Sequence, residues 1–391
     1  MELDAFSWLL TEPGQRLLAR ACELRGEDPL RAHTLLRKDA EASYVAVALS
    51  QAELRAKAVA KFGALAERMY FTPDGLEQAT RLRVAEHRAA RLAAYGARTV
   101  VDLGCGIGGD LIAASRAGLI VAGVDLDPER VAVAQANLDA LELPGAVQVA
   151  DATDVDHAAF EVAFADPARR GARGRVFSAE GWTPPWSFVE SLLTRDACVK
   201  AAPGIPHELV PSDVEAEWVS DHGEVKEAAL WAGGLATVRR RATVIGDGGL
   251  ATLTDEDVPP PGSGPAATRP VGSFLYEPDG AVIRAGLVTT VAAGVDGGLV
   301  DEHIAYVTSD ESFHTPFATG YQVLEELPYR ERALRAALRE RGVGRLTIKK
   351  RGVSVVPEQL RRALSLHGPN EATIVMTRVA GEGTCLLVKP F

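Results

Sequence analysis

The chain has 391 residues, 47% of them hydrophobic, and a formal net charge of −11 at pH 7. This length predicts two or three domains, each with enough apolar residues to bury a large core. The negative charge argues against a uniformly basic nucleic-acid-binding protein, although it leaves room for a local basic face.

The four cysteines are far apart in the sequence and form no C-x-x-C pair. This spacing indicates neither a zinc site nor a disulfide framework, and reduced thiols fit a cytoplasmic protein. The N-terminus lacks a basic segment followed by an apolar core, and no apolar run reaches the roughly 18 residues of a membrane helix. We therefore expect a cytoplasmic protein with no membrane partner and no bound metal.

Residues 1–95 carry the apolar spacing of helices. Leu17, Leu18 and Ala21 fall on one helical face, and Val45 and Ala48 fall on another. The pattern predicts a small N-terminal helical bundle. By itself it indicates packing and substrate orientation rather than a chemical role.

The most informative stretch is residues 99–127. A short β-branched run leads into Gly104, Gly106 and Gly108, then into a periodic apolar segment, and a second apolar run ends at Asp125. This order predicts strand, glycine turn, helix and strand. Such a βαβ unit places a nucleoside site at its switch point.

The acids beside this turn indicate which ligand it binds. Asp102 precedes the glycines and Asp110 follows them, and two carboxylates would repel a diphosphate. They suit a ligand that carries ammonium and sulfonium charges. Asp125, at the end of the second strand, is then placed to accept hydrogen bonds from ribose hydroxyls.

Residues 101–106 resemble the first motif of the class I S-adenosylmethionine-dependent methyltransferases. The resemblance implies an α/β fold with a Rossmann-like sheet and S-adenosyl-L-methionine as cofactor. It places Asp102, Gly104 and Gly106 beside the methionine moiety and Asp125 beside the ribose. The alternative is an ordinary turn in another α/β protein.

Two further positions gain a meaning from this resemblance. A segment that contains Thr72-Pro73 is similar to one that covers the cofactor in trimethylguanosine-synthase-like RNA methyltransferases, which implies that Phe71 and Thr72 contact the cofactor. An acid in the position of Asp151, after the third strand, bonds the adenine amino group in the family. The alternatives are a helix N-cap at Thr72 and a turn or N-cap aspartate at Asp151.

The fourth predicted strand, 161–165, delivers Asp166 and Pro167 at its C-terminal end. Amino-directed methyltransferases carry an Asp/Asn-Pro-Pro-aromatic motif there, so the resemblance implies that Asp166 and Pro167 are catalytic and orient the target amine. Here Arg169 stands where the family has an aromatic ring. Together with Arg170 it could stack on a base or bind phosphate.

Trp182 follows in the same loop and offers a flat surface for an unstacked base. The alternative is a solvated basic loop with tryptophans in the core. We predict Arg169, Arg170 and Trp182 to bind the substrate.

Residues 247–270, rich in glycine, proline and acids, predict a linker between a methyltransferase domain at 96–246 and a C-terminal region at 271–391. The last 64 residues, 328–391, contain 13 Lys and Arg against 5 Asp and Glu, a net charge of +8, which leaves −19 for the rest. Lys349, Lys350 and Arg351 lie at a strand end, where a basic cluster could bind phosphates.

The C-terminal region resembles the THUMP-like domain attached to some class I methyltransferases, and this implies an RNA substrate. The alternative for its charge is a solvated arginine-rich helix. Taken together, the sequence predicts an N-terminal helical bundle, a Rossmann-like sheet and a small C-terminal α/β module.

The predicted activity is S-adenosylmethionine-dependent methylation of a nucleobase amine in tRNA or rRNA. Two alternatives stay open. One is an RNA-binding protein with a degenerate methyltransferase pocket, and the other is a methyltransferase for a small molecule or a protein.

Overall fold

The computed structural model describes residues 2–169, 182–258 and 268–391. The chain forms two compact units. The first comprises Met1–Glu215 and Ala229–Thr237, and the second comprises Ala216–Ala228 and Val238–Phe391. The predicted helical region and the glycine-turn sheet thus pack as one unit, while the predicted segment boundaries at 95, 246 and 270 stay a prediction.

The N-terminal region is helical, as the apolar spacing predicts. Thr11, Asp28 and Thr72 each accept a hydrogen bond from a backbone N–H in the first turn of a helix that has a proline at its first or second position, so local sequence fixes these starts. The six helices are α1 (Leu3–Leu9), α2 (Glu12–Glu23), α3 (Pro29–Leu36), α4 (Ala42–Phe62), α5 (Pro73–Gln78) and α6 (Leu82–Tyr95).

A parallel sheet follows in the first unit. The elements of this part of the chain are β1 (Thr99–Leu103), α7 (Gly109–Arg116), β2 (Ile120–Asp125), α8 (Pro128–Ala140), β3 (Ala146–Val149), β4 (Val162–Ala165), β5 (Ala168–Arg169), β6 (Trp182–Thr183), α9 (Trp186–Leu192) and β7 (Ala197–Ala201). Strands β5 and β6 form a separate two-stranded sheet. The order β7-β4-β1-β2-β3 places the C-terminal ends of β1, β2, β4 and β7 at one edge. Chemistry in open α/β sheets is placed at this edge.

Four strands follow along the chain, and they neighbour one another in the order β11-β10-β8-β9. They are β8 (Glu215–Asp221), β9 (Glu224–Ala232), β10 (Arg240–Gly246) and β11 (Gly249–Thr254). The first part of the predicted linker is therefore ordered. Residues 247–248 form the two-residue turn of an antiparallel hairpin in which Gly246 pairs with Gly249, and β11 follows this turn. A run rich in glycine and aspartate is typical of both a linker and a hairpin turn. The two interpretations can be distinguished only when the strand that pairs with the following residues is known.

The C-terminal module is the predicted α/β arrangement. Its elements are β12 (Phe274–Pro278), α10 (Gly280–Ala285), α11 (Val288–Gly294), β13 (Gly298–Asp301), β14 (Ile304–Ser309), β15 (Ala318–Leu327), α12 (Glu331–Glu340), β16 (Val343–Lys350), α13 (Pro357–Leu364), β17 (Asn370–Val379) and β18 (Glu382–Pro390). The seven strands are ordered β13-β14-β12-β15-β18-β17-β16. Leu334, Leu338 and Leu364 bury the helices α12 and α13 against Ile374 and Met376 of β17.

The sheet of this module curls toward closure. The backbone N–H of Ala380 donates to the carbonyl of Val300, and that of Gly381 donates to the Asp301 carboxylate, so the end of β17 lies beside β13. Among the helices within the described ranges, none combines the length and apolar character needed to cross a membrane.

Candidate active site

The glycine turn has the backbone conformation that its composition predicts. Gly104, Gly106 and Gly108 have φ angles of +111°, +55° and +84°, a region that side chains rarely adopt. A Cβ at Gly106 would meet no atom within 4 Å, and one at Gly104 would meet only the Asp166 carbonyl oxygen at 3.9 Å. The backbone is thus open to a ligand, and the turn lies close to the predicted catalytic motif.

Asp125 and the glycine turn are brought together as predicted. The backbone N–H of Gly106 donates to Oδ2 of Asp125 at 3.0 Å, and that of Asp127 donates to Oδ1 at 3.0 Å. This fixes the carboxylate at the C-terminal end of β2, between the turn and the start of α8. A ribose hydroxyl could find its acceptor here.

Asp102 is placed differently from Asp125. Its side chain is 3% exposed and lines a small cavity with Arg88 of α6, Asp110 of α7 and Phe164 of β4. Within the described residues its Oδ1 has no hydrogen-bond partner. Burial, and next the charges of Asp110 and Asp166, raise the pKa of Asp102 well above its ordinary value.

Arg88 is the cation that counters these acids. It forms an ion pair with Asp110 and is only 4% exposed, while its guanidinium lies 4.5 Å from the centre of the Phe164 ring. Sequence reasoning missed this residue. A lone arginine among the apolar positions Ala85, Ala89 and Leu92 of α6 was the available signal.

The segment before α5 is held against the glycine turn by a buried amide. Asn137 of α8 accepts from the backbone N–H of Tyr70 at 2.6 Å and donates to the carbonyls of Tyr70 at 3.1 Å and Ile107 at 2.9 Å. Gln51 of α4 similarly pairs with the N–H and carbonyl of Phe71. Both amides were missed, and their signal is a polar side chain on the apolar face of a helix.

The predicted cofactor contacts of this segment have mainly local roles. Phe71 is fully buried, its ring centre 5.7 Å from that of Phe62, so it belongs to the core rather than to an open pocket. Thr72 accepts from the N–H of Gly75 at 3.0 Å and caps α5, which is the alternative that its sequence offered.

Asp151 likewise has a local partner. Its Oδ1 accepts from the N–H and the hydroxyl of Thr153 at 2.9 and 2.7 Å, and these bonds lower its pKa. The N–H of Ala150 donates to the carbonyl of Asp125 at 3.1 Å, which places both acids at neighbouring strand ends. Asp151 is thus an exposed N-cap, and its contact with the adenine stays a prediction.

Asp166 of the predicted catalytic motif has a partner that the sequence did not indicate. Lys200, near the end of β7, donates to Oδ2 of Asp166 at 2.6 Å and to the hydroxyl of Thr80 at 3.1 Å. The lysine side chain is 16% exposed and the aspartate 36%. Pro167 is buried. Sequence reasoning missed Lys200, the single charge in an otherwise apolar strand.

Backbone pairing brings part of the predicted substrate loop together. Strands β5 and β6 are antiparallel, with Arg169 opposite Trp182. Arg170 lies outside the described residues, and the side-chain roles of Arg169, Arg170 and Trp182 stay predictions.

Similar proteins decide the class. Residues 100–167 match a family described as a methyltransferase domain, residues 318–390 match one described as THUMP domain-like, and residues 2–58 match a domain of unknown function. An uncharacterized S-adenosylmethionine-dependent methyltransferase of Mycobacterium tuberculosis, found in two strains, is 38% identical over 339 residues, which cover 83% of this chain and 90% of that protein. The chain belongs to the S-adenosylmethionine-dependent methyltransferases. Its predicted enzyme class and cofactor are confirmed.

A solved structure confirms the fold of this methyltransferase. The crystal structure of a Porphyromonas gingivalis protein assigned as a methyltransferase is similar over 96% of this chain and 98% of that one, with a TM-score of 0.76 and 22% identity. S-adenosyl-L-methionine supplies a methyl group, and the open backbone at Gly104 and Gly106 with the fixed Asp125 carboxylate fits its binding.

The second unit holds the remaining predicted residues. Lys349 and Arg351 lie 3.3 and 3.5 Å from the two carboxylate oxygens of Glu277, whereas the Lys350 side chain is exposed. The basic stretch of this methyltransferase therefore divides into two partly buried, paired cations and one cation directed to solvent.

Proposed function

We propose that this methyltransferase transfers the methyl group to a nucleobase amine of RNA, with tRNA and rRNA as the substrates to test first. The observation that carries the proposal is the contact of Asp166 with the Lys200 amino group at 2.6 Å. It supports a role for Asp166 as an acceptor of N–H groups at the strand edge beside the glycine turn. An exocyclic amine needs such an acceptor.

The proposed chemistry depends on positioning. In this proposal Asp102, Gly104, Gly106, Asp125 and Asp151 hold the cofactor, and Asp166 with Pro167 orients the amine. The lone pair of the amine is then directed at the methyl group of the cofactor. No strong general base is required, because orientation supplies much of the rate.

Two features of the second unit support RNA as the substrate. Residues 318–390 match the THUMP domain-like family, and residues 328–391 carry a net charge of +8. Cations gain affinity for nucleic acid by releasing counterions from phosphates. We assign Lys350 to substrate binding on this basis, and Arg169, Arg170 and Trp182 because planar guanidinium groups and rings can stack on an unstacked base.

The test is transfer of labelled methyl from S-adenosylmethionine to tRNA, rRNA, DNA and a protein extract, each incubated separately with the purified chain. We expect label in tRNA or rRNA, with loss of at least about 100-fold in Asp166→Ala but unchanged cofactor binding. The matched control is Asp139→Ala, on the exposed face of α8. Transfer by Asp166→Ala at the wild-type rate would contradict the catalytic assignment.

A second candidate is RNA binding without transfer. Ala168 replaces the second proline of the amino-methyltransferase motif, and Lys200 already contacts the acceptor oxygen of Asp166. This candidate predicts bound cofactor, RNA affinity that the cofactor does not change, and no label in any acceptor.

A further inference from the structure

The sheet of the second unit carries charged and phenolic side chains that methyl transfer does not use. Leu275 of β12 pairs with Thr308 of β14 and with Tyr321 of β15. Glu277 is two residues from Leu275 on β12, and Tyr306 is two residues from Thr308 on β14. Because side chains alternate along strands, both lie on the same face of the sheet as Leu275 and Tyr321. We name Glu277, Tyr306, Tyr321, Lys349 and Arg351 the Glu277 cluster.

Glu277 is held by three contacts, none of them short. Lys349 Nζ lies 3.3 Å from Oε2, the Tyr321 hydroxyl donates to the same oxygen at 3.4 Å, and an Arg351 Nη lies 3.5 Å from Oε1. Charged hydrogen bonds are typically 2.7–2.9 Å long. The carboxylate is thus held loosely and can be displaced.

Beneath these groups lie polar atoms without partners. Tyr306 is fully buried, and among the described residues its hydroxyl and the Nε of Arg351 have no hydrogen-bond partner. The Arg351 guanidinium lies 5.5 Å from the centre of the Tyr306 ring, so both atoms belong to the cluster. Buried polar groups in native proteins are nearly always satisfied, so these two atoms call for a partner outside the described side chains, such as a water or a bound ion.

The backbone is shaped to hold Arg351 in this place. Gly352 has a φ of +72°, and a side chain there would collide with Ile304 of β14. The chain after β16 can therefore approach β14, the strand that carries Tyr306, only because residue 352 is a glycine.

The charge of the cluster favours an anion. Lys349 and Arg351 outnumber Glu277, which gives a net charge of +1, and both phenols can donate. Burial lowers the pKa of Lys349, but the charge of Glu277 and the further interactions with Glu277 and Tyr321 together outweigh burial. The pKa is therefore raised, and the amino group is protonated at neutral pH. The three charged side chains are 19–44% exposed, so a ligand can reach them from solvent.

We propose that the Glu277 cluster binds one phosphate group through Lys349, Arg351 and Tyr306, with Glu277 as the resident acid that the phosphate displaces. A phosphate offers more acceptor oxygens and more charge than a single carboxylate, and the guanidinium fork matches its geometry. The Tyr321 hydroxyl stays with Glu277. This binding site goes beyond the proposed transfer reaction and does not require that RNA be the methyl acceptor.

The test is calorimetric titration of the full chain with inorganic phosphate and with one short RNA, prepared with and without a terminal phosphate. We expect Lys349→Ala and Arg351→Ala each to weaken binding of the phosphate-bearing probe about tenfold or more, since each removes a charged donor. Glu277→Gln removes the competing acid and should strengthen binding several-fold. Lys389→Ala, an exposed lysine of β18 in the same sheet, is the matched control and should change binding less than about twofold.

Each result decides the proposal. It is overturned if the wild-type chain binds none of the phosphate-bearing probes, or if Lys389→Ala weakens binding as much as Arg351→Ala. Equal binding of inorganic phosphate and phosphorylated RNA supports a free phosphate as the ligand, and preference for the phosphorylated RNA supports a nucleic-acid terminus.

Two further measurements distinguish an unstable variant from a wrong proposal, and this inference from the proposed function. Should Arg351→Ala melt at a lower temperature than wild type, the gain of Glu277→Gln over the wild-type chain still tests the site. Methyl transfer to RNA is measured in parallel. Phosphate binding without RNA methylation would overturn the proposed function alone, and methylation without phosphate binding would overturn this inference alone.

Discussion

The two units surround their candidate sites with opposite charges. Among the described residues of the first unit, four acids gather near the glycine turn and two cations pair with members of this group. In the second unit one acid, Glu277, lies between two cations. The four acids are Asp102, Asp110, Asp125 and Asp166, and the two cations are Arg88 and Lys200; we call this group the acid-rich edge.

This difference in charge indicates which ligand charge each site accommodates. A buried cluster with excess charge is unfavourable until a ligand of opposite charge joins it. The acid-rich edge suits S-adenosyl-L-methionine, whose sulfonium and ammonium groups are cationic. The Glu277 cluster suits an anion.

The largest effect should come from removing the cation of the acid-rich edge. Arg88→Met breaks a buried ion pair and leaves Asp110 and Asp102 without their compensating charge. We expect the free energy of unfolding to fall by about 3–5 kcal/mol, measured by urea denaturation at pH 7. The double variant R88M/D110N should recover part of this loss, and a single variant as stable as wild type would contradict the assignment.

Asp125→Ala tests whether the acid-rich edge holds the cofactor. The variant removes the acceptor that Gly106 and Asp127 orient. Affinity for S-adenosylhomocysteine, measured by calorimetry, should fall about 100-fold, because hydrogen bonds to a charged group are lost. Asp139→Ala on the same unit should bind as wild type does.

Asp102 should give the acid-rich edge a pH dependence. Its pKa is raised in the folded state, so above about pH 4 the unfolded chain has released a proton that the folded chain keeps. Stability therefore falls as pH rises toward the raised folded-state pKa, by at most about 1.4 kcal/mol per pH unit. Asp102→Asn should flatten this decline in urea denaturation between pH 4 and 8, and an unchanged slope would show that other groups cause it.

The smallest effect concerns the exposed cation of the second unit. If Lys350 contacts RNA phosphate, Lys350→Ala should make the negative slope of log affinity against log salt shallower by about one, with little change in sequence specificity. Fluorescence anisotropy with tRNA at several salt concentrations measures this. Lys57→Ala, an exposed lysine of α4, provides the comparison.

Much of the site could be read from the sequence because its signals are local. The φ angles of Gly104 and Gly106 follow from their own lack of a side chain, and the position of Asp125 follows from the end of a strand. Thr72 also behaved locally, as an N-cap, although the family resemblance suggested a cofactor contact. The N-cap is confirmed because a cap needs only the next three residues, and the cofactor contact stays a prediction.

The residues that were missed act across long stretches of chain. Asn137 joins Tyr70, 67 positions away, and Lys200 joins Thr80, 120 positions away. Phe71 was assigned to a pocket because its burial between helices cannot be seen in the segment that contains it. The basic stretch at 349–351 was read as one surface, but Glu277, 72 positions before Lys349, pairs with two of its three residues.

The class of fold and the acids that end strands could be predicted from the sequence, since apolar periodicity, glycine and charge are local signals. The cofactor followed from the resemblance of residues 101–106 to the first motif of the class I methyltransferases. Which charges are compensated is settled only when the chain folds. Arg88 meets Asp110, Lys200 meets Asp166, and Glu277 meets Lys349 and Arg351, each from a different element. Electrostatic energy depends on distance and burial, and neither is defined until the chain has folded.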